Sequence, residues 1–512
     1  MLTQHFSRLS LAASGVALTL AASGVALTLA AVPAKASDLT DMRQEMQAMQ
    51  RQYQAALAKL QHDYEAKLQA MEKRLDAAES KATAATQKAD DAQKAAAAAQ
   101  TASAASGQTA AAAPAPAVSA TAAGGGNPQS SAAAFNPAIG AVLDGKGMVS
   151  SHNPNTWRLP GFALGDQAKP PPRGPSIGES EINLQANVDQ ALFGNLTIAF
   201  ENDNSVNIEE AFVQPTALPW NFTAKLGRFF SGIGYLNEQH AHTWDFADAP
   251  LPYLAFLNGQ YGDDGVQLRW LAPSNMFIEL GGEAMRGASF PANSVSEALT
   301  NNHNAGLGAW SAFLHIGDDI NESSSYSAGI SYLGTRSSNR ATDPVGGPPG
   351  SDQFTGVDHT LIADAVYKWA PNGNFAQSYV KLQGEGFLRK ESGAFTALNF
   401  AGTPGVATTH SLNSGLQSGF YVQGVYQFMP FWRVGLRYDQ VHAPSLGPGF
   451  AGTTLDSRDL TPRRYSAMID YSTSEFGRFR VQYNRDEARP NPDNEFILQY
   501  TVSLGAHGAH QY

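Results

Sequence analysis

The chain has 512 residues, a formal net charge of −11 from 34 Lys+Arg against 45 Asp+Glu, and no cysteine. No disulfide framework or cysteine metal site is possible, and the acidic balance excludes a general nucleic-acid binder, which needs a basic face. Past residue 32 no run of 18 apolar residues occurs, which excludes a bundle of transmembrane helices.

The first element is a doubled apolar run: LAASGVALT at Leu11–Thr19 recurs unchanged at Leu20–Thr28. Arg8 and the amino terminus precede it, and Ala34-Lys35-Ala36 follows with small residues at the −3 and −1 positions. This layout predicts a secretory signal peptide over 1–36, cleaved after Ala36. The doubling lengthens the apolar core to about 22 residues, enough at ~1.5 Å rise to cross a bilayer, so a retained anchor is the alternative.

Residues 37–107 predict one long helix. Leu39, Met42, Met46, Met49, Tyr53, Leu57, Leu60, Tyr64, Leu68, Met71, Leu75 and Ala78 recur at spacings of three and four, which is a coiled-coil seam. A solvated single helix would leave these Met and Leu side chains in water, so a homo-oligomeric stalk is the better reading. Beyond Ala78 the seam is almost all Ala, helical by propensity but weak as an oligomeriser. Residues 108–134 are Ala, Pro, Gly and Ser and form a flexible linker that cannot bury a core.

From residue 135 to 512 the pattern changes to period two. In FWRVGLRYDQ (Phe431–Gln440), Trp432, Val434, Leu436 and Tyr438 share one face, and Arg433, Arg437 and Asp439 the other. In FGRFRVQYNR (Phe476–Arg485), Phe479, Val481 and Tyr483 oppose Arg478, Arg480, Gln482 and Asn484. A soluble sandwich also alternates. Here charge repeats on one face and aromatics mark the strand ends, which is the signature of a transmembrane barrel with a polar lumen. Only a closed barrel satisfies every backbone group in hydrocarbon without spanning helices. Sixteen such segments are readable, from Asn136–Gly145 and Ile177–Gln190 to Asn494–Leu504, and the number is even, as bacterial barrels require. Tight turns (Ala272-Pro273-Ser274, Met429-Pro430, Ser472–Glu475) alternate with long connections (Ser231–Asp264, Arg336–Gly356, Glu391–Gln417). The fold class predicted is an all-β transmembrane, 16-stranded antiparallel outer-membrane β-barrel preceded by an α-helical coiled coil. The chain enters the first strand from the linker side, which places the coiled coil in the periplasm and makes outer-membrane lipid and the barrel-assembly machinery partners.

Three stretches, FNPAIGAVLDGKG (Phe135–Gly147), KLGRFFSGIGYLNEQH (Lys225–His240) and GQYGDDGVQLRW (Gly259–Trp270), resemble the phosphate-selective porin O and P superfamily, particularly members with an N-terminal coiled coil. The resemblance covers the barrel. It implies sixteen strands, a homotrimer, and a third external loop folded inward to narrow the pore.

That loop is Ser231–Asp264, and its charged residues are Glu238, Asp245, Asp248, Asp263 and Asp264, with no Lys or Arg. A phosphate-selective pore would present basic groups to a dehydrated anion. The basic lumen candidates are instead on strands: Arg228, Arg269, Arg433, Arg437, Arg478 and Arg480. Facing the acidic loop they would set a transverse field and a weak or cation-leaning selectivity; the bland alternative is local pairing. Glu238, His240, His242 and Asp245 form the one metal-like cluster, because imidazole with carboxylate suits zinc. His507, His510 and the aromatic terminal residue Tyr512 complete the candidates.

No nucleophile elbow, phosphate loop or HExxH motif is present, so no enzyme activity and no cofactor are predicted. The sequence predicts a porin for passive diffusion of small hydrophilic solutes or ions. Two rivals stand beside it: a structural envelope tether, with the coiled coil bound to peptidoglycan, and a zinc-related channel.

Overall fold

A computed structural model describes residues 137–202, 205–293, 306–342, 352–397 and 407–505. The predicted signal, coiled coil and linker, and His507, His510 and Tyr512, lie outside the described residues.

Among the described residues, eighteen strands make one sheet: β1 (Ala138–Ser150), β2 (Gly174–Ile177), β3 (Ser180–Asn187), β4 (Leu192–Phe200), β5 (Val206–Pro215), β6 (Phe222–Phe230), β7 (Gly262–Leu271), β8 (Phe277–Met285), β9 (Ala309–Asn321), β10 (Ser324–Thr342), β11 (Asp352–Trp369), β12 (Tyr379–Ala397), β13 (Thr408–Asn413), β14 (Gln417–Met429), β15 (Trp432–His442), β16 (Arg463–Ser474), β17 (Gly477–Asp486) and β18 (Asp493–Gly505). The circuit closes where β1 meets β18 antiparallel, from Gly140 opposite Gly505 to Ser150 opposite Glu495. Two short strands extend the wall at its loop end. β2 continues the line of β3 along β1, and β13 takes the place of β14 along the end of β12. Sixteen strands therefore form the closed antiparallel barrel, the predicted number.

Some boundaries differ from the sequence expectation. The segment Ile177–Gln190 is not one strand; it breaks at Gly178, where a side chain would collide with the Asp144 carboxylate. The connections expected at Arg336–Gly356 and Glu391–Gln417 are shorter, because β10, β11 and β12 run on as long hairpins to Thr342, from Asp352 and to Ala397. Both faces of these extensions carry polar residues, so no apolar alternation announces them.

The two faces follow the predicted alternation. On β15, Leu436 is 69% exposed and Arg437 beside it 3%. On β17, Phe479 and Val481 are exposed while Arg480, Gln482 and Asn484 are buried. On β18, Phe496, Leu498 and Tyr500 are exposed and Glu495, Gln499 and Thr501 buried. Outward-facing aromatics, exposed or half-buried, form two rows. Trp432–Tyr471 and Phe479–Tyr500 lie toward the turn end, and Tyr438–Tyr465 and Tyr483–Phe496 toward the loop end. Tyr465 and Tyr471 are six residues apart on β16, about 20 Å along the strand at ~3.3 Å per residue. A closed ladder with an apolar outer belt between aromatic rows is the surface of a barrel set in hydrocarbon. No helix among the described residues is long and apolar enough to cross a membrane.

The apolar core lies inside the barrel at its loop end. Helix α1 (Leu251–Leu257) is buried along its whole length. It stops at Asn258, in the left-handed conformation, followed by Gly259 at φ +99°, a common helix terminator. Phe256 stacks on Phe387 of β12 and meets Phe162 of the first long connection edge-on.

Candidate pore constriction

Residues 231–261 connect β6 to β7. Their polar groups bond to inward side chains from around the barrel. Near the start, Ser231 Oγ and the Gly232 N–H donate to Glu283 at 2.5 and 2.9 Å. The N–H groups of Tyr235 and Leu236 donate to Glu385 at 3.0 and 3.1 Å, and the hydroxyls of Tyr253 and Tyr421 donate to the same carboxylate. Asn237 ties the neck: its amide donates to the carbonyls of Ser231 and Tyr261 and accepts from the Tyr261 N–H. Arginines on the far wall donate to loop carbonyls: Arg478 to His242, Arg480 to Trp244 at 2.8 Å and Arg437 to Asp248 at 2.9 Å.

The loop acids are paired directly. Glu238 pairs with Arg269 and lies 3.9 Å from Lys225. Asp245 accepts from Lys381 and Arg433, both at 3.0 Å. Asp248 accepts from Arg437 and Arg464 at 2.9 Å each, from Gln482 at 2.6 Å and from Asn484 at 2.9 Å. Burial works against all three charges, but the cations outweigh it. Arg269 and Lys225 lower Glu238, Lys381 and Arg433 hold Asp245 well below its usual range, and Arg437 and Arg464 bring Asp248 to about 2. The predicted field between an acidic loop and basic walls across open water is therefore replaced by contact ion pairs. Long Arg and Lys side chains reach the loop instead of standing opposite it.

Arg228, Asp263 and Asp264 stand apart from this set. Asp264 is on β7, cross-strand from Arg228, and their side chains pair at 3.2 Å. Asp263 accepts from the N–H groups of Gly287 and Ala288 after β8.

The four residues read as a metal cluster do not meet at one point. Glu238 and Asp245 go to the cations above. His240 and His242 turn instead to β3 and β5, with their rings stacked 5.7 Å apart. His242 Nδ1 is 2.7 Å from Glu181 Oε1. His240 Nδ1 is 3.1 Å from Glu181 Oε2 and 3.2 Å from Glu209 Oε2, and its Nε2 is 3.5 Å from Glu210. Burial would lower the His240 pKa, but Glu181, with Glu209 and Glu210, raises it well above the ordinary imidazole value. A β-bulge makes this possible. The register of β4 on β5 slips so that Thr197 faces Glu210 and Ile198 faces Ile208, leaving Glu209 as the extra residue. Adjacent carboxylates that simple alternation would send to opposite faces then both reach His240.

Two large cavities flank the stretch His240–Asp248. The one toward the turn end has about 1180 Å³ and is lined among others by Glu181, Glu210, His240 and Asp245. The one toward the loop end has about 1030 Å³, and its lining includes Glu179, Glu209, Trp244 and Asp248.

No family model matches the chain. A protein of Aquifex aeolicus (strain VF5), described as uncharacterized, is 31% identical over 350 residues, which are 66% of this chain and 70% of that one. The chain belongs to the family of this Aquifex protein. Solved structures similar to it include OmpT, an outer membrane protein of Vibrio cholerae, at 10% identity and TM-score 0.44. DcaP, an outer membrane channel of Acinetobacter baumannii, and OmpF of Salmonella typhi in complex with daunomycin are each 12% identical, at TM-scores 0.44 and 0.42. In all three, 72% of this chain matches 97% of the other.

Sequence reasoning missed the wall residues that hold the loop: Glu181, Glu209, Glu210, Lys381, Glu385, Arg389 and Arg464. One signal was present. The pair Glu209-Glu210 interrupts the alternation of Val206–Val213, which marks a bulge turning charge inward. The others sit on regular polar faces, and alternation alone does not say which polar residue meets the loop.

Proposed function

We propose that this chain is a porin of the bacterial outer membrane, passing small hydrophilic solutes or ions passively through a barrel narrowed by residues 231–261. The observation that carries this reading is the pair of cavities of about 1180 and 1030 Å³ on either side of His240–Asp248, both lined in large part by charged and polar side chains, inside a closed barrel with an apolar exterior. Sixteen-stranded barrels are wide enough to leave an aqueous channel. The loop acids and wall arginines neutralise one another, while Glu181, Glu209 and Glu210 find no Lys or Arg partner among the described residues, which favours cations. The same balance argues against the phosphate selectivity that the porin O and P resemblance would bring. Residues 1–36 are read as a cleaved signal, 37–107 as a periplasmic coiled coil, 108–134 as a linker and 135–512 as the barrel, with three copies in the assembly.

The test is single-channel recording of the purified protein in a planar bilayer across a KCl gradient. Stepwise currents, grouped in threes, with a reversal potential on the potassium side support the reading. A folded, heat-modifiable barrel that carries no current overturns it.

A further inference from the structure

The histidine–carboxylate cluster between the loop and strands β3 and β5 has more negative charge than its partners balance. Within ion-pairing distance, Glu181, Glu209 and Glu210 find only His240 and His242 among the described residues, and no Lys or Arg nitrogen. His240 Nδ1 faces two carboxylate oxygens at once, at 3.1 and 3.2 Å, and a single N–H cannot point well at both. A fourth carboxyl group adjoins these three. Glu179 lies against Glu209, and its Oε1 is shielded from solvent and has no hydrogen-bond partner. A buried acceptor left without a donor is costly.

A divalent cation resolves both the excess charge and the shared His240 N–H. Zinc bonds to His nitrogen at ~2.0–2.1 Å and to carboxylate oxygen at ~2.0–2.2 Å, so tetrahedral ligand atoms stand roughly 3.3 Å apart. The separations of His240 Nδ1 from Glu181 Oε2 and Glu209 Oε2 match that edge, and the three ligand atoms all lie within 4.8 Å of one another. Glu181 is also oriented for the task, because its Oε1 is held by His242 at 2.7 Å while Oε2 faces the cluster. Bonded partners of this kind fix a ligand's geometry and tune its affinity. Mixed imidazole and carboxylate donors suit zinc and its first-row neighbours better than calcium or magnesium.

We propose that His240, Glu181 and Glu209 form a binding site for a zinc-class divalent cation, with Glu179 and Glu210 at its edge. The donor set is not Glu238, His240, His242 and Asp245, since two of those are consumed by Arg269, Lys381 and Arg433. A cation there joins the loop to β3 and β5. The site also divides the two cavities: Glu181 and His240 line the turn-end cavity and Glu179 and Glu209 the loop-end one.

The experiment is isothermal titration of zinc chloride into the purified full-length protein in detergent after EDTA treatment and dialysis. One equivalent is expected to bind per chain. Glu209→Gln and His240→Gln are each expected to weaken it at least tenfold, and Glu179→Gln, a milder change, to weaken it less. The double variant His507→Ala/His510→Ala is expected to bind as the parent does. Heat-shifted gel migration shows that each variant is folded. No saturable heat from the parent, unchanged affinity in folded Glu209→Gln and His240→Gln, or loss of binding in the tail variant would each overturn the site. Calorimetry reads binding whether or not the barrel conducts, so this outcome is separate from that of the conductance test.

Discussion

The loop's attachment at Asp248 offers a quantitative test. Its carboxylate accepts from two arginines on different strands, Arg437 and Arg464, and from Gln482 and Asn484. Burial alone would raise its pKa, but the two guanidiniums lower it from 3.8 to about 2. By linkage that difference corresponds to about 2 kcal/mol in favour of the charged, attached form. The substitution Asp248→Asn removes the charge and leaves each arginine its other partner, Asp439 and Asp486 respectively. The loss is therefore closer to 2 kcal/mol than to the ~3–5 kcal/mol of stranding an unpaired buried ion. The barrel ladder does not depend on this contact, so the cost falls on the loop. Amide exchange over residues 244–257, followed by mass spectrometry, is expected to accelerate about 30-fold, the factor that ~2 kcal/mol implies. Peptides of β6 and β7 should stay as protected as in the parent. The pH dependence has a fixed sign. A depressed carboxylate pKa stabilises above its ordinary value, so the parent loop keeps its protection above about pH 4 and loses it as pH falls through 2. Unchanged exchange in folded Asp248→Asn, or an acid transition that persists in this variant, would refute the reasoning.

Three further outcomes follow from the same geometry. Leu436→Arg places a charge on the outer belt and is expected to cost about 2–4 kcal/mol near mid-membrane, read as a lower denaturant midpoint in lipid vesicles. Arg389→Met is expected to release helix α1. Arg389 is buried, lies between Asp358 and Glu391 at 3.6 and 3.7 Å, and covers the Phe256 ring; removing one member of such a buried network costs about 3–5 kcal/mol, measurable as faster proteolysis within 251–257. Deleting 38–106, the segment predicted as a coiled coil, is expected to leave single-channel conductance unchanged, whereas loss of conductance would tie that segment to the pore itself.

How much of this was legible depends on what each residue's partner is. The outward face of β15 and the inward face of β17 were readable because lipid and lumen each impose one chemistry on alternate residues, and that rule is local. Sixteen strands followed by counting such stretches. The extended hairpins of β10–β12 were not readable, since polar residues interrupt both faces of their ends. Loop pairings were the least legible. Asp245 meets Lys381 and Arg433, 136 and 188 residues away in sequence, and only the barrel's closure sets that encounter. The same fact moves the source of any cation preference. Asp245, Asp248 and Glu238 are quenched by cations in direct contact, so they contribute little field to water in the cavities. Glu181, Glu209 and Glu210 meet only His240 and His242 among the described residues, with no Lys or Arg, and they belong to the wall. If the channel favours cations, Glu209→Gln together with Glu210→Gln should shift the reversal potential toward zero far more than Asp245→Asn, which unmasks Lys381 and Arg433 and should drive it toward anions. Equal shifts from the two changes would mean that loop charge acts through water after all, as the sequence pattern alone had predicted.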